Sequence, residues 1–215
     1  MRSLRLFYAV WPPERVRRTL WRSLAPVREF LPSVRWVPQE RLHITVRFIG
    51  DVSTRVLPRL IAATEALDQV APFEIGLSGT GTFPGRGPPR VYWVGVSGRP
   101  LSGLRKRLDR ALAHEGVARE NRTFSPHLTV GRASRARSGG DGARHRNAVT
   151  IPDLVFPVAA VHLVRSELLP GGPRYTNVHR AVLGGGGPSS DPESPPARGG
   201  GLSRGAAERE SRKDG

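Results

Sequence analysis

The chain contains no cysteine, which removes disulfides, thiolate metal sites and cysteine nucleophiles together. No apolar run approaches the ~20 residues that a membrane-spanning helix needs. The N-terminus enters an alternating strand pattern within a few residues instead of following a signal-peptide layout. The expectation is a soluble, cytoplasmic protein with no membrane partner. Lysine is scarce: 32 of the 34 basic residues are arginine. Together with abundant Gly, Pro and Ala, this is also what a GC-rich coding bias would produce, so arginine content by itself is ambiguous. The location of the charge says more. Of a formal net +16, none resides in 184–215, where five basic and five acidic residues cancel; 1–183 carries 29 basic and 13 acidic residues. A compact basic body attracts polyanions, nucleic acid above all.

Against that background one pattern occurs twice. Leu42-His43-Ile44-Thr45-Val46-Arg47-Phe48 is answered 84 positions later by Ser125-Pro126-His127-Leu128-Thr129-Val130. Chance predicts fewer than one His-x-Thr triplet in a chain of this composition, and here both copies continue into Val inside apolar alternation. In a strand, residues two apart share a face. His43, Thr45 and Arg47 therefore share one face, with Ile44, Val46 and Phe48 on the other; His127 and Thr129 face one way, Leu128 and Val130 the other. A single copy reads most simply as a strand whose histidine is satisfied by a neighbour. A pair, brought together, makes one cleft with two imidazoles and two hydroxyls.

The rest of the chain reads in order as follows. Residues 4–10 form a strand ending at Trp11-Pro12-Pro13. A helix spans about 13–30, with Val16, Leu20, Leu24 and Val27 on its buried stripe. A short strand covers 34–37, and the first histidine strand closes at Gly50. Asp51 to Thr54 supplies cap-type residues for a second helix over about 54–70, buried through Leu57, Leu60, Ile61, Thr64 and Leu67; Pro58 is tolerable near its first turn. Strands over 72–82 and 90–97 flank a Pro- and Gly-rich connection. A third helix, 100–116, buries Leu101, Leu104, Leu108 and Leu112. The second histidine strand covers about 126–132. A Gly- and Arg-rich loop follows over 134–147, then one long strand or two over 155–168 and a closing strand over 174–183. From Gly184 the composition cannot bury enough surface to offset chain entropy, so a disordered tail is expected over 184–215. Helices among mostly hairpin-connected strands favour an α+β fold, and the two histidine strands, each following a helix, suggest a bilobed pseudo-repeat.

The paired tetrads resemble the two-histidine (2H) phosphoesterase superfamily. The surrounding Leu6-Phe7-Tyr8-Ala9-Val10, Arg35-Trp36-Val37-Pro38, Pro89-Arg90-Val91-Tyr92-Trp93 and Arg165-Ser166-Glu167-Leu168 are similar to the RNA 2′,3′-cyclic phosphodiesterases, also called 2′–5′ RNA ligases. The likeness extends over roughly 4–183. It implies one 2H domain over 1–183 built as two lobes, each an antiparallel sheet with helices outside, around a central cleft. It also implies hydrolysis of RNA 2′,3′-cyclic phosphate ends, tRNA fragments among them, to 2′-phosphates, without metal or other cofactor, by a monomer. A weaker ATP-independent reaction joining RNA ends 2′–5′ is implied as well.

Imidazole suits such chemistry because its pKa lies near neutrality, so two histidines can act as base and acid. Sequence symmetry alone does not assign the roles; by the resemblance, His43 protonates the leaving 3′-oxygen and His127 activates water. Thr45 and Thr129 would offer short donors to the phosphate oxygens, though each also serves simply as a β-branched strand former. By the resemblance Arg132 contacts the phosphate, yet strict alternation puts it on the wrong face: either Gly131 marks a bulge that re-aims it, or it lies past the strand end. Arg47 shares the face of His43 and is a further candidate. Phe83 and Tyr175 could stack on a base, and the loop 135–146 could clamp the RNA backbone. The remaining histidines show no ligand spacing for a metal. The rival readings are a cyclic phosphodiesterase acting on small nucleotides, a non-catalytic RNA-binding module that keeps the cleft, and a metal-dependent hydrolase.

Overall fold

Alternating apolar residues bury one face of each strand, and the strands assemble edge to edge into one antiparallel sheet. The structure, a computed structural model, describes residues 3–133 and 151–185; the clamp expected at 135–146 and the tail from 186 onward lie outside them. Among the described residues the strands are β1 (Ser3–Val10), β2 (Val34–Trp36), β3 (Ile44–Ser53), β4 (Phe73–Phe83), β5 (Val91–Ser97), β6 (His127–Ala133), β7 (Leu154–Val158), β8 (Ala160–Leu169) and β9 (Gly172–Val182). Their order is β7-β4-β5-β6-β3-β1-β8-β9, with β2 attached to β6. Two four-stranded halves meet at a seam where β3 and β6 pair through Ile44 and Leu128. The fold is α+β, and the anticipated two sheets are the halves of this one.

The helices pack on the opposite side of the sheet from the cleft. The first expected helix is divided into α1 (Glu14–Ser23) and α2 (Ala25–Phe30). Pro26 causes the break, because it has no N–H to return to residue 22 and its ring crowds that carbonyl. Val16, Leu20, Leu24 and Val27 are nonetheless all buried, so the stripe survives the interruption. The second helix is shorter than its periodicity suggests: α3 (Leu57–Ala62) lies between 3-10 turns at Thr54–Val56 and Ala63–Leu67. Asp51 does not cap it. β3 continues to Ser53, whose Oγ accepts from Arg55 N, while Asp51 pairs with Arg5 at 3.2 Å. α4 (Arg99–His114) buries Leu101, Leu104, Leu108 and Leu112 as its spacing requires.

Two bulges decide which side chains reach the cleft. On β3, Ala9 pairs with Thr45 but Tyr8 pairs with Arg47, so Val46 is an extra residue. On β6, Trp93 pairs with Thr129 but Tyr92 pairs with Gly131, so Val130 is extra. Each bulge follows the threonine of its tetrad and reverses the alternation beyond it. Arg132 is thereby turned into the cleft, in line with the bulge alternative at Gly131. The same device corrects the placement of Arg47, which does not share the face of His43. It is 5% exposed on the helix side, and Phe48 takes the cleft side instead, 41% exposed.

Arg47 is consumed by structure. Its Nη1 donates to Glu120 at 2.8 Å, its Nη2 to the Ala118 carbonyl at 2.6 Å, and its Nε lies 3.1 Å from Asp109. Arg105, also buried, bonds Asp109 at 2.6 Å and Glu120 at 3.0 Å and donates to the carbonyl of the bulged Val46 at 2.5 Å. Two guanidiniums and two carboxylates thus clamp α4 onto the bulge. Removing one member strands the others in a low-dielectric setting, a cost softened here because both acids are about a quarter exposed. Arg47→Ala is therefore expected to lower unfolding free energy by about 2–4 kcal/mol, measured by urea denaturation; a midpoint within error of wild type would refute this role.

Candidate active site

The seam sets the geometry of the cleft. Continuing the Ile44–Leu128 register by one residue each way puts His43 across from Thr129 and Thr45 across from His127. In a regular antiparallel register His43 and His127 are then diagonal neighbours, with backbone positions roughly 7–8 Å apart. All four residues line a single cleft of about 510 Å³, together with Arg132. Of the described candidates, Arg47 and Phe83 do not line it.

The two histidines are held in matching ways. His43 Nδ1 lies 2.7 Å from the Arg41 carbonyl and His127 Nδ1 lies 2.7 Å from the Ser125 carbonyl. A carbonyl only accepts, so each Nδ1 carries hydrogen and each Nε2 is left for exchange with a ligand. Behind His43 pack Phe7, Trp11 and Tyr175, with ring centroids 5.1, 5.0 and 5.2 Å away. Phe83 meets His127 edge-on at 5.0 Å. The two aromatics considered as base platforms therefore each support a histidine; Tyr175 also lines the cleft.

Surroundings that exclude water disfavour the imidazolium. Burial, chiefly, with the Arg132 and His127 charges adding to it, holds His43 down to about 4, against the opposing pull of the Arg41 carbonyl. Residual surface leaves the ring half-buried, but rings on three sides account for the direction.

Four arginines, Arg5, Arg35, Arg41 and Arg132, line the cleft, and among the described residues no carboxylate does. Arg5 is paired with Asp51 and lies 4.7 Å over the Phe48 ring; Arg41 holds the β8–β9 turn through the Pro173 carbonyl at 2.9 Å. That turn, with Leu168, Gly171 and Gly172, forms one wall. Sequence reasoning missed Arg5, Arg35, Arg41 and Phe48. Strand periodicity could not reveal them, because they enter by cross-strand register or by a bulge. No group of three or more His, Cys, Asp or Glu side chains placed to hold a metal occurs among the described residues, and no helix there is long and apolar enough to cross a membrane.

An anion seated in the cleft must oppose the depression of His43. Its ring protons are expected to titrate well below 6.5 in the free protein by NMR, and at higher pH with inorganic phosphate bound; an unmoved midpoint would contradict this electrostatic picture. Folding stability carries the same sign. Burial first, then Arg180, holds His162 to about 4 as well, so the unfolded chain binds more protons than the folded one between about 6.5 and 4. Stability present above 6.5 should be lost as pH falls through 4. His162→Gln should shrink that drop in urea midpoint, and an equal drop in the variant would exclude His162 as a contributor.

The model of the 2′-5′ RNA ligase superfamily matches residues 12–168. A Thermus thermophilus protein named RNA 2′,3′-cyclic phosphodiesterase is 36% identical over 195 residues, covering 85% of this chain and 91% of that one. A relative of the same name from Methanothermobacter thermautotrophicus is 35% identical over 184 residues, covering 82% and 97%. Among solved structures, TT0787 of Thermus thermophilus superposes with a TM-score of 0.71 at 32% identity, and E. coli LigT complexed with 3′-AMP with 0.68 at 28%; each covers 85% of this chain and 99% of its own.

Proposed function

The chain belongs to the 2′-5′ RNA ligase superfamily, and on that premise we propose that its cleft hydrolyses RNA 2′,3′-cyclic phosphate ends to 2′-phosphomonoesters, with His43 and His127 as acid and base and no metal ion. The observation that carries the reading is the seam: two His-x-Thr segments meet antiparallel at Ile44 and Leu128 and face one cleft lined by arginines. The 3′-AMP held by the related LigT is a ribose phosphomonoester, the 3′ regioisomer of the proposed product end.

The steps follow from the geometry of in-line displacement. Water attacks phosphorus from one side while the 3′-oxygen departs from the other. His127 Nε2 takes the water proton as the new P–O bond forms, and His43 Nε2 gives its proton to the 3′-oxygen as that P–O bond breaks. The products are a 2′-phosphate and a 3′-hydroxyl, and the proton gained by His127 returns to His43 through solvent. Thr45, Thr129 and Arg132 stabilise the non-bridging oxygens, whose charge grows in the transition state. Burial keeps His43 neutral in the empty cleft, and the phosphate charge promotes its protonation, so the acid is armed by substrate. A 5′-hydroxyl in place of water makes a 2′–5′ linkage by the same displacement, without ATP. The protein acts as a monomer in the cytoplasm, on RNA ends such as those of tRNA fragments.

The purified chain in EDTA should convert a 2′,3′-cyclic-phosphate oligonucleotide to its 2′-phosphate, and His43→Ala and His127→Ala should each lose ~10²–10⁴ in kcat. Replacing the 3′-oxygen by sulfur supplies a leaving group that needs no proton. That substrate should rescue His43→Ala and leave His127→Ala inactive. No turnover in EDTA would sink the proposal, and rescue of His127→Ala alone would reverse the two roles.

A further inference from the structure

Arg35 belongs to no step above, yet the sheet places it in the cleft beside Arg132. β2 pairs with β6 so that Arg35 is the register partner of Arg132, and Val37 N bonds the carbonyl of the bulged Val130 at 2.8 Å. Trp36 is accommodated because its partner Gly131 has no side chain; a Cβ there would lie 2.7 Å from Val34 and 3.1 Å from the Trp36 ring. Strand position, register and packing all fix two guanidiniums side by side on one face. Like charges directly opposite across strands are destabilising, and neither has a carboxylate partner among the described residues. The arrangement is relieved when anionic charge fills the gap. Arg132 is committed to the reacting phosphate, so Arg35, on a different strand beside it, is left for a neighbouring anion.

We infer that Arg35 binds the phosphodiester on the 5′ side of the terminal nucleoside, so that the cleft reads two consecutive phosphates and prefers an RNA end to a free nucleoside cyclic phosphate. This rests on the reading above and specifies its substrate class. Arg35 is a specificity residue: it touches the neighbouring phosphate and takes no part in bond breaking.

The test compares adenosine 2′,3′-cyclic phosphate with the same compound bearing a 5′-phosphate. In the wild type, kcat/KM should favour the 5′-phosphorylated compound about tenfold at low salt. Arg35→Gln should collapse that ratio toward one and Arg35→Lys should keep part of it, whereas Arg132→Gln should lower both substrates together and preserve it. With an oligonucleotide ending in a 2′,3′-cyclic phosphate, the dependence of log kcat/KM on log salt should flatten by about 0.7 in Arg35→Gln, the value of one phosphate contact on a single strand. Turnover with no 5′-phosphate preference, or an equal loss on both substrates in Arg35→Gln, overturns the assignment of Arg35 while leaving the phosphodiesterase reading intact. Absence of turnover of either compound and of the oligonucleotide overturns both.

Discussion

One pair of facing residues, Ile44 and Leu128, holds the cleft together. Both are fully buried, and their pairing is what joins the halves of the sheet. Because neighbours along a strand alternate, a core contact at these two positions forces His43, Thr45, His127 and Thr129 to the other face. The apolar seam and the polar site are therefore two sides of the same register. A slip of one residue would exchange them, carrying leucine into the cleft and imidazole into the core. Burial of the seam thus enforces the shared face of the four polar side chains.

The bulges finish what the register begins. A regular strand would have alternated the cleft face as His, Thr, then the residue two further on: Arg47 in one half and Gly131 in the other. The extra residue in each strand shifts that face to Phe48 and Arg132. The halves then diverge in use. The position turned inward is a buried arginine in β3, tied to α4 by two acids, and a glycine in β6, where β2 lies close. The position turned outward is an apolar ring on one wall and a cation on the other. Such asymmetry gives two unlike walls, Phe48 beneath the Arg5 guanidinium on one and Arg132 beside Arg35 on the other, from two copies of nearly the same segment.

Much of this is legible in the sequence, and the failures share one cause. Periodicity locates the strands and the leucine stripe of α4 because those depend on local burial. The tetrads point to a shared cleft because their polar and apolar positions are already sorted. Arg47 is misplaced and Phe48 overlooked because a bulge inserts one residue without any mark in hydrophobicity; only Gly131, beside the second bulge, carries a signal. Arg35 cannot be seen at all, since its neighbour Arg132 lies 97 positions away and the pairing exists only in the folded sheet. The division of the first helix is readable at Pro26, where an uninterrupted apolar stripe outweighs, in a reading by periodicity, a residue that cannot continue the hydrogen-bond ladder.

The electrostatics place the remaining constraint on how the site works. Burial among the rings around His43, and after it the Arg132 charge, oppose a second positive charge there and hold that imidazole well below its ordinary range. An acid that is unprotonated before substrate arrives looks like a poor choice, until the substrate's own charge is counted. On the mechanism proposed, a phosphate bound between the histidines would cancel the arginine field at the place where the proton is needed. Protonation, binding and orientation become one coupled event. On that mechanism a neutral ligand of similar shape would fill the cleft and leave the acid unarmed.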